Sequence, residues 1–314
     1  MMYLRISLVI ATVSFSLFNN TEASLAAERK VRFEIPLSTP YNSEILASTG
    51  AKYLYPQQAC VDETNGHLFV VNASRGGGDR SQWVAVYDWM SGKFLTIFKA
   101  GDGLGETCVV SDNNHMRPSV WIKSRGNNLL EFDVSALPTP MSAPSYVRKQ
   151  RAAVLYQSAM RDDRWFLETK TSGRDVLSIR NRRFDEMETI ILADPEIDKS
   201  APVKRQGFAV SGRGIVGSYG SNYIRNRDQA PTEYGVKLFR FDGSIAYDGL
   251  DNPETVMKQL NSQGVMTTRL ENEGVIVTRD NKIYTIAVTQ AANSAASKTG
   301  GLAIVQELAD PKDR

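Results

Sequence analysis

The chain has 314 residues, 42% of them hydrophobic and 23% charged, with a formal net charge of +2. That composition supports a full buried core and lacks the charge runs and low-complexity tracts of a disordered chain. The near-neutral balance, with no segment that interleaves basic and aromatic residues, argues against a nucleic-acid partner.

In chain order, residues 1–26 read as a signal peptide. Arg5 gives the basic start, ISLVIATVSFSLF (6–18) is the apolar run, and Ser24-Leu25-Ala26 offers small residues for cleavage. The run is short for a bilayer span and no second one follows, so no stable membrane span is expected. Export to the periplasm or outside the cell follows, with a mature chain starting near Ala27. Losing the segment removes Arg5 and Glu22, one charge of each sign, and leaves the balance unchanged.

Residues 27–49 come next, as a closing strand and lead-in. From residue 50 to 314 one pattern repeats. A polar residue precedes a small or apolar one, then comes Val, a polar turn and an apolar strand: QQACVDETNGHLFVV around Cys60. The pattern recurs as GETCVVSDNNHMRPSVWI at Cys108, YQSAMRDDRWFLET at Ala159, QGFAVSGRGIVGSY at Ala209 and EGVIVTRDNKIYTIAV at Ile276. The spacing is about fifty residues, the last interval being longer. The turns TNG, DNN, RDD, SGRG and RDN are rich in residues that tolerate positive φ or bond their own backbone, which marks hairpins. Further strands follow: WVAVYD and KFLTIF, NLLEFDV, DVLSIR and ETIILA, VKLFRFDG, and GLAIVQEL.

Four strands in such a unit make one propeller blade, so the expected fold is all-β: a five-bladed β-propeller with four-stranded blades. The last unit lacks a fourth strand, and residues 31–37 are predicted to supply it from the N-terminus, covering an open edge. GLDNPETVMKQLNSQG (249–264) predicts a short helix after Asn-Pro and accounts for the long last interval.

Cys60 and Cys108 occupy equivalent positions in adjacent units, as do His67 and His115, the two histidines of the chain. Three readings stay open: a disulfide, two buried thiols, or a zinc site if the Cys-x6-His pairs face one another. RGGGDR (75–80) lacks the Lys-Ser/Thr of a phosphate loop and reads as a bend, while Asn72-Ala73-Ser74 fits a glycosylation acceptor. Asp62, Asp112, Asp162 and Asp280 sit in or beside hairpin turns, where local backbone bonding explains them better than calcium.

Residues just before the reference positions ring one mouth of a propeller channel: Gln57, Gln58, Glu106, Gln157, Gln206 and Glu273. Either they bond blade backbones around a narrow shaft, or they bind a polar ligand. SYGSNYIR adds Tyr219, Tyr223 and Arg225, either as exposed loop groups able to stack on and hydrogen-bond a sugar or, for the two tyrosines, as rings that only pack between blades. The predicted ligand-binding set is therefore Gln57, Gln206, Glu273, Tyr219, Tyr223 and Arg225. Two histidines and no G-x-S-x-G elbow disfavour acyl-hydrolase chemistry. No catalytic residue, metal or cofactor is assigned, and a monomer is expected.

PQQACVDETNGHLFVV, KRQGFAVSGRGIVGSYGSNY and LENEGVIVTRDNKIYTIAV resemble the blade starts of helveticin J-like bacteriocins and the propeller modules of phage tail proteins. The resemblance covers most of residues 50–307, and blade 1 also shares the rhythm of NHL-type repeats. It implies an exported propeller acting at a cell envelope, as a class III bacteriocin or a receptor-binding module, and the first expectation is a secreted, non-enzymatic binder, bacteriocin-like or otherwise, of carbohydrate or another envelope polymer. It transfers no catalytic residue. The alternative expectation is a secreted hydrolase of glycosidic or ester bonds that uses carboxylates at the channel mouth.

Overall fold

A computed structural model describes residues 27–77, 79–103, 105–113, 117–126, 128–152, 154–169, 176–193, 205–221, 223–224, 233–290 and 301–308. Strand β1 (Glu28–Pro36) and helix α1 (Asn42–Thr49) lead into the first sheet. Blade 1 consists of β2 (Tyr53–Asp62), β3 (His67–Arg75), β4 (Ser81–Asp88) and β5 (Phe94–Asp102). Blade 2 is β6 (Cys108–Asn113), β7 (Arg117–Ser124), β8 (Asn128–Asp133) and β9 (Arg148–Arg151). Blade 3 follows as β10 (Val154–Arg161), β11 (Arg164–Thr169), β12 (Val176–Arg180) and β13 (Glu186–Ile191).

In blade 4, β14 (Arg205–Ser211) and β15 (Gly214–Tyr219) are followed by a two-residue strand, β16 (Tyr223–Ile224), before β17 (Gly235–Phe239) and β18 (Ile245–Asp248) complete the sheet. Helix α2 (Pro253–Ser262) then precedes β19 (Arg269–Val277), β20 (Ile283–Val288) and β21 (Gly301–Leu308) of blade 5. All pairings within the blades are antiparallel, and the inner strands touch in a closed ring, β2 to β6, β10, β14, β19 and back to β2. The protein is a five-bladed β-propeller.

The hairpins form for the local reasons legible in the sequence. Asp62 accepts the backbone N–H groups of Thr64 and Asn65 at 3.0 and 3.2 Å, which closes the first turn. Asn252 caps α2 by accepting the Glu254 N–H at 2.9 Å, with Pro253 at the first helical position. The helix lays Val256, Met257 and Leu260 against Leu270 and Val305 of blade 5. Apolar residues gather between neighbouring blades: Val84, Phe98, Ile122 and Phe132 between the first two, and Trp121, Trp165 and Phe184 between the second and third. Among the described residues no helix is long and apolar enough to cross a membrane.

The predicted closing strand is β1. It pairs with β21 from Glu28↔Leu308 to Pro36↔Gly301, and so becomes the outer strand of the last blade. Arg29 fastens it: its guanidinium lies 2.9 Å from Glu307 and 2.6 Å from Asp251, with no side-chain exposure of its own. Arg32 reaches sideways to blade 1, where it covers the Trp89 ring at 4.1 Å and donates to the Trp89 carbonyl at 3.1 Å.

Two features depart from the sequence reading. Blade 5 has a fifth strand on its inner edge, because β16 leaves blade 4 and pairs with β19 through Tyr223↔Leu270 and Ile224↔Arg269. The outer strand of blade 2, RKQR, is mostly exposed and has no apolar alternation to announce it.

Replacing Arg29 with Ala leaves Glu307 and Asp251 without their shared guanidinium. A loss of about 3–5 kcal/mol is expected in urea denaturation; a loss below about 1 kcal/mol would show that the ring is closed without this contact.

Candidate functional site

The reference residues of the sequence repeat, Cys60, Cys108, Ala159, Ala209 and Ile276, all line one central cavity of about 110 Å³. Cys60 and Cys108 are joined there in a disulfide, their Cα atoms 5.4 Å apart, which staples the inner strands of blades 1 and 2. The zinc arrangement is thereby excluded for these sulfurs. The register also separates the ligands it needed, because Cys60 stands opposite Phe69 and His67 stands opposite Asp62. His115 lies outside the described residues.

Above this cavity the inner strands bulge. Pairing shifts between Pro56 and Gln58, Val154 and Ser158, Arg205 and Gly207, and Asn272 and Val275. Gln57, Gln157, Gln206 and Glu273 fall within these irregular stretches, and a bulge re-aims a side chain that a regular ladder would hold on one face. The polar ring is therefore a product of strand irregularity at one level of the shaft.

The members of the ring do different work. Gln157 donates to the Gln206 carbonyl, tying blade 3 to blade 4. Glu106 pairs with Lys123 of its own blade at 2.9 Å. Gln58 crosses the shaft toward Gly207 and Gly274, where a Cβ at Gly207 would come within 2.8 Å of the Gly274 Cα. Gln157 and Gln58, which accepts the Ala59 N–H at 2.9 Å, fit the backbone-bonding reading, whereas Glu106 spends its carboxylate on a side-chain ion pair.

The seam between blades 1 and 5 differs. Gln57 accepts from the Arg75 guanidinium at 2.5 Å and faces Glu273 at 3.5 Å. The Tyr55 hydroxyl donates to Glu271, and Arg269 pairs with Glu271 while its guanidinium lies 5.3 Å from the Tyr55 ring centre. Burial, then the neighbouring charge of Glu271, pushes the Glu273 carboxyl well above its usual range, against the pull of Tyr55 and Arg269. Burial likewise pushes the Tyr55 phenol up, with both carboxylates adding to the shift, so it acts as a donor. The seam thus holds two carboxyl groups, one of which, Glu273, resists ionisation, together with two guanidinium groups, an amide and a phenol.

Of the predicted ligand-binding residues, Gln57 and Glu273 meet here. Gln206 sits half-buried on blade 4. Tyr219 is no exposed loop group: it is 0% exposed at the end of β15, packed in the core with Lys237 5.5 Å from its ring centre. Tyr223 is half-buried in β16 and donates to Glu254 at 2.7 Å, while Arg225 lies outside the described residues. Asn72, of the glycosylation triplet, is 6% exposed inside β3, which leaves no room for a glycan. Tyr55, Arg75, Arg269 and Glu271 were missed by the sequence reading. The alternation Glu-x-Glu in β19 and Tyr-x-Gln in β2 was the available signal. Among the described residues no group of three or more His, Cys, Asp or Glu gathers at a metal's reach.

No family model and no curated protein matches the sequence. Among solved structures, the chain is similar to a tail fibre of Staphylococcus aureus phage P68, with a TM-score of 0.59 and 10% identity over 91% of this chain. It spans about half of that protein, 54% of its length. It is also similar to a glutaminyl cyclase of Myxococcus xanthus, with a TM-score of 0.51 and 12% identity over 90% of this chain and 97% of the other. At such identities the likeness establishes the fold.

Glu273→Gln tests the electrostatics. A carboxyl whose folded pKa lies above its ordinary 4.5 contributes full stability below that pH and loses it as pH rises toward the folded value. The amide keeps the hydrogen-bonding shape without the charge. The variant is expected to melt with the wild type at pH 4 and above it at pH 8; a difference that does not change with pH would refute the buried, charge-resisting carboxyl.

Proposed function

We propose that this is an exported, non-enzymatic binding propeller that takes a carbohydrate or related envelope polymer at the seam between its first and last blades. The observation that carries the reading is the chain of contacts at the seam of blades 1 and 5, from Arg75 to Gln57 to Glu273 and from Tyr55 to Glu271. Sugar hydroxyls both donate and accept, so a site able to bind one needs carboxylate acceptors and guanidinium or amide donors close together, with an aromatic ring nearby. Export is supported by the basic, apolar and small-residue order of residues 1–26 and by the disulfide, which persists in oxidising compartments. The tail-fibre likeness and the bacteriocin-like blade starts support work at a cell envelope.

The mature protein is expected to be retained on cell-wall, outer-membrane or polysaccharide fractions without releasing soluble products. The double variant Gln57→Ala, Arg75→Ala removes one charged and one neutral hydrogen-bonding partner, and retention should weaken about tenfold or more at an unchanged Tm. Wild-type retention by the double variant would sink the proposal.

A second reading rests on the Glu271 and Glu273 pair. Two neighbouring carboxyl groups, of which Glu273 is pushed well above its usual range, offer the pairing that acid–base chemistry uses, and a propeller of similar fold is a glutaminyl cyclase. This reading predicts ammonia release from glutaminyl peptides, or sugar release from glycosides, that Glu273→Gln abolishes. Inertness toward both substrate classes leaves the binding reading.

A further inference from the structure

Ala27 is buried, with 8% exposure, and every polar group of its backbone is used. Its nitrogen donates to Asp251 Oδ2 at 3.0 Å, and its carbonyl accepts from Gln259 Nε2 at 3.0 Å and from Arg29 Nη1 at 3.3 Å. The acceptor of that nitrogen belongs to a charged cluster that does not balance. Arg29 faces two carboxylates, Asp251 and Glu307, with side-chain exposures of 0%, 12% and 1%. The cluster therefore carries one more negative than positive charge in a place where water screens little. Burial pushes the Glu307 carboxyl up, against the pull of Arg29, and the charge of Asp251 pushes the same way.

We propose that Ala27 is the mature N-terminus and that the structure holds a capture site for its α-ammonium, with Asp251 as the counter-ion and Gln259 gripping the adjacent carbonyl. Hydrolysis of the Ala26–Ala27 amide by a signal peptidase adds water across the bond. Ala26 leaves with the carboxylate, and Ala27 keeps an amine that takes up a proton at neutral pH. The nitrogen already aimed at Asp251 then changes from a neutral amide donor to a cation, and the cluster becomes two positive charges facing two negative ones. The ammonium adds a full Coulombic attraction to the hydrogen bond that the amide already makes with the part-buried carboxylate. Cleavage thus tightens the strand that closes the ring, so the propeller reaches its full stability only after export.

The processed protein should give Ala27 as its first residue in N-terminal sequencing. Asp251→Asn is then compared in two backgrounds, the processed chain and a chain that keeps residues 24–26 in front of Ala27. Both lose the pairing with Arg29, but only the processed chain also loses an ion pair with its terminus, so its Tm should fall by roughly 2–4 °C more. Equal falls, or a first residue other than Ala27, would overturn the proposal. A wild-type measurement covers the case in which the variant does not fold. An amine-acylating reagent should label the α-amine of the folded processed protein at least tenfold more slowly than in urea, and equal rates would also overturn it.

Discussion

The propeller depends on one join. Three of its sheets are made from uninterrupted runs of strands and a fourth gives up only β16, but the fifth is completed only when β1, at the start, pairs with β21, at the end. Without that pairing β21 would present a free edge, and the first and last blades would have no shared outer wall. Hydrogen bonds along the ladder align the strand, yet a ladder alone is prone to slip by a register. Arg29 removes that freedom, because its guanidinium has buried carboxylates to meet only when Glu28 lies opposite Leu308. Arg32 acts on the neighbouring blade, locking the strand to Trp89 by stacking and hydrogen bonding together.

The same join creates the candidate site. Tyr55 and Gln57 come from the first blade, Glu271 and Glu273 from the last, and the bond from the Tyr55 hydroxyl to Glu271 spans 216 positions of sequence. At the opposite end of the seam, the Arg279 N–H donates to Glu63 at 2.6 Å, which holds the two blades together below the polar mouth. Ring closure and ligand chemistry are thus linked: the carboxyl groups face their phenol, amide and guanidinium partners only in the closed ring. The Cys60–Cys108 disulfide has a related role between the first and second blades. It links inner strands separated by 48 positions, a loop whose closure is worth about 4 kcal/mol in the chain-entropy account.

Different levels of the shaft have different chemistry for a structural reason. Where the inner strands run regularly, their small and apolar reference residues face the cavity and leave little space. Where they bulge, glutamine and glutamate side chains meet neighbouring blades, as Gln157 does at the Gln206 carbonyl, and Gln58 fills the neck left by two glycines. A glycine is required at Gly274, with φ of 157° and the Gln58 amide occupying the place of a Cβ.

The number of blades, the hairpin turns, the helix after Asn252 and the identity of the closing strand were all legible in the amino acids alone. Each of these rests on local chemistry: period-2 alternation, Asp and Asn in turns, an N-cap before proline, and a repeat that keeps its register through five copies. The repeat even selected the five residues that share the central cavity. It did not show that RKQR is a strand, because an exposed outer strand needs no apolar pattern. It left Tyr219 and Tyr223 between an exposed loop and packing between blades, and the structure takes the second: β15 turns the Tyr219 ring into the core and β16 pairs Tyr223 with the next blade. That Tyr55 meets Glu271 and Arg29 meets Glu307 is settled at the level of the assembled ring, since such contacts depend on how blades distant in sequence are placed side by side. Alternation says which face of a strand a residue occupies; the closed ring decides what that face meets.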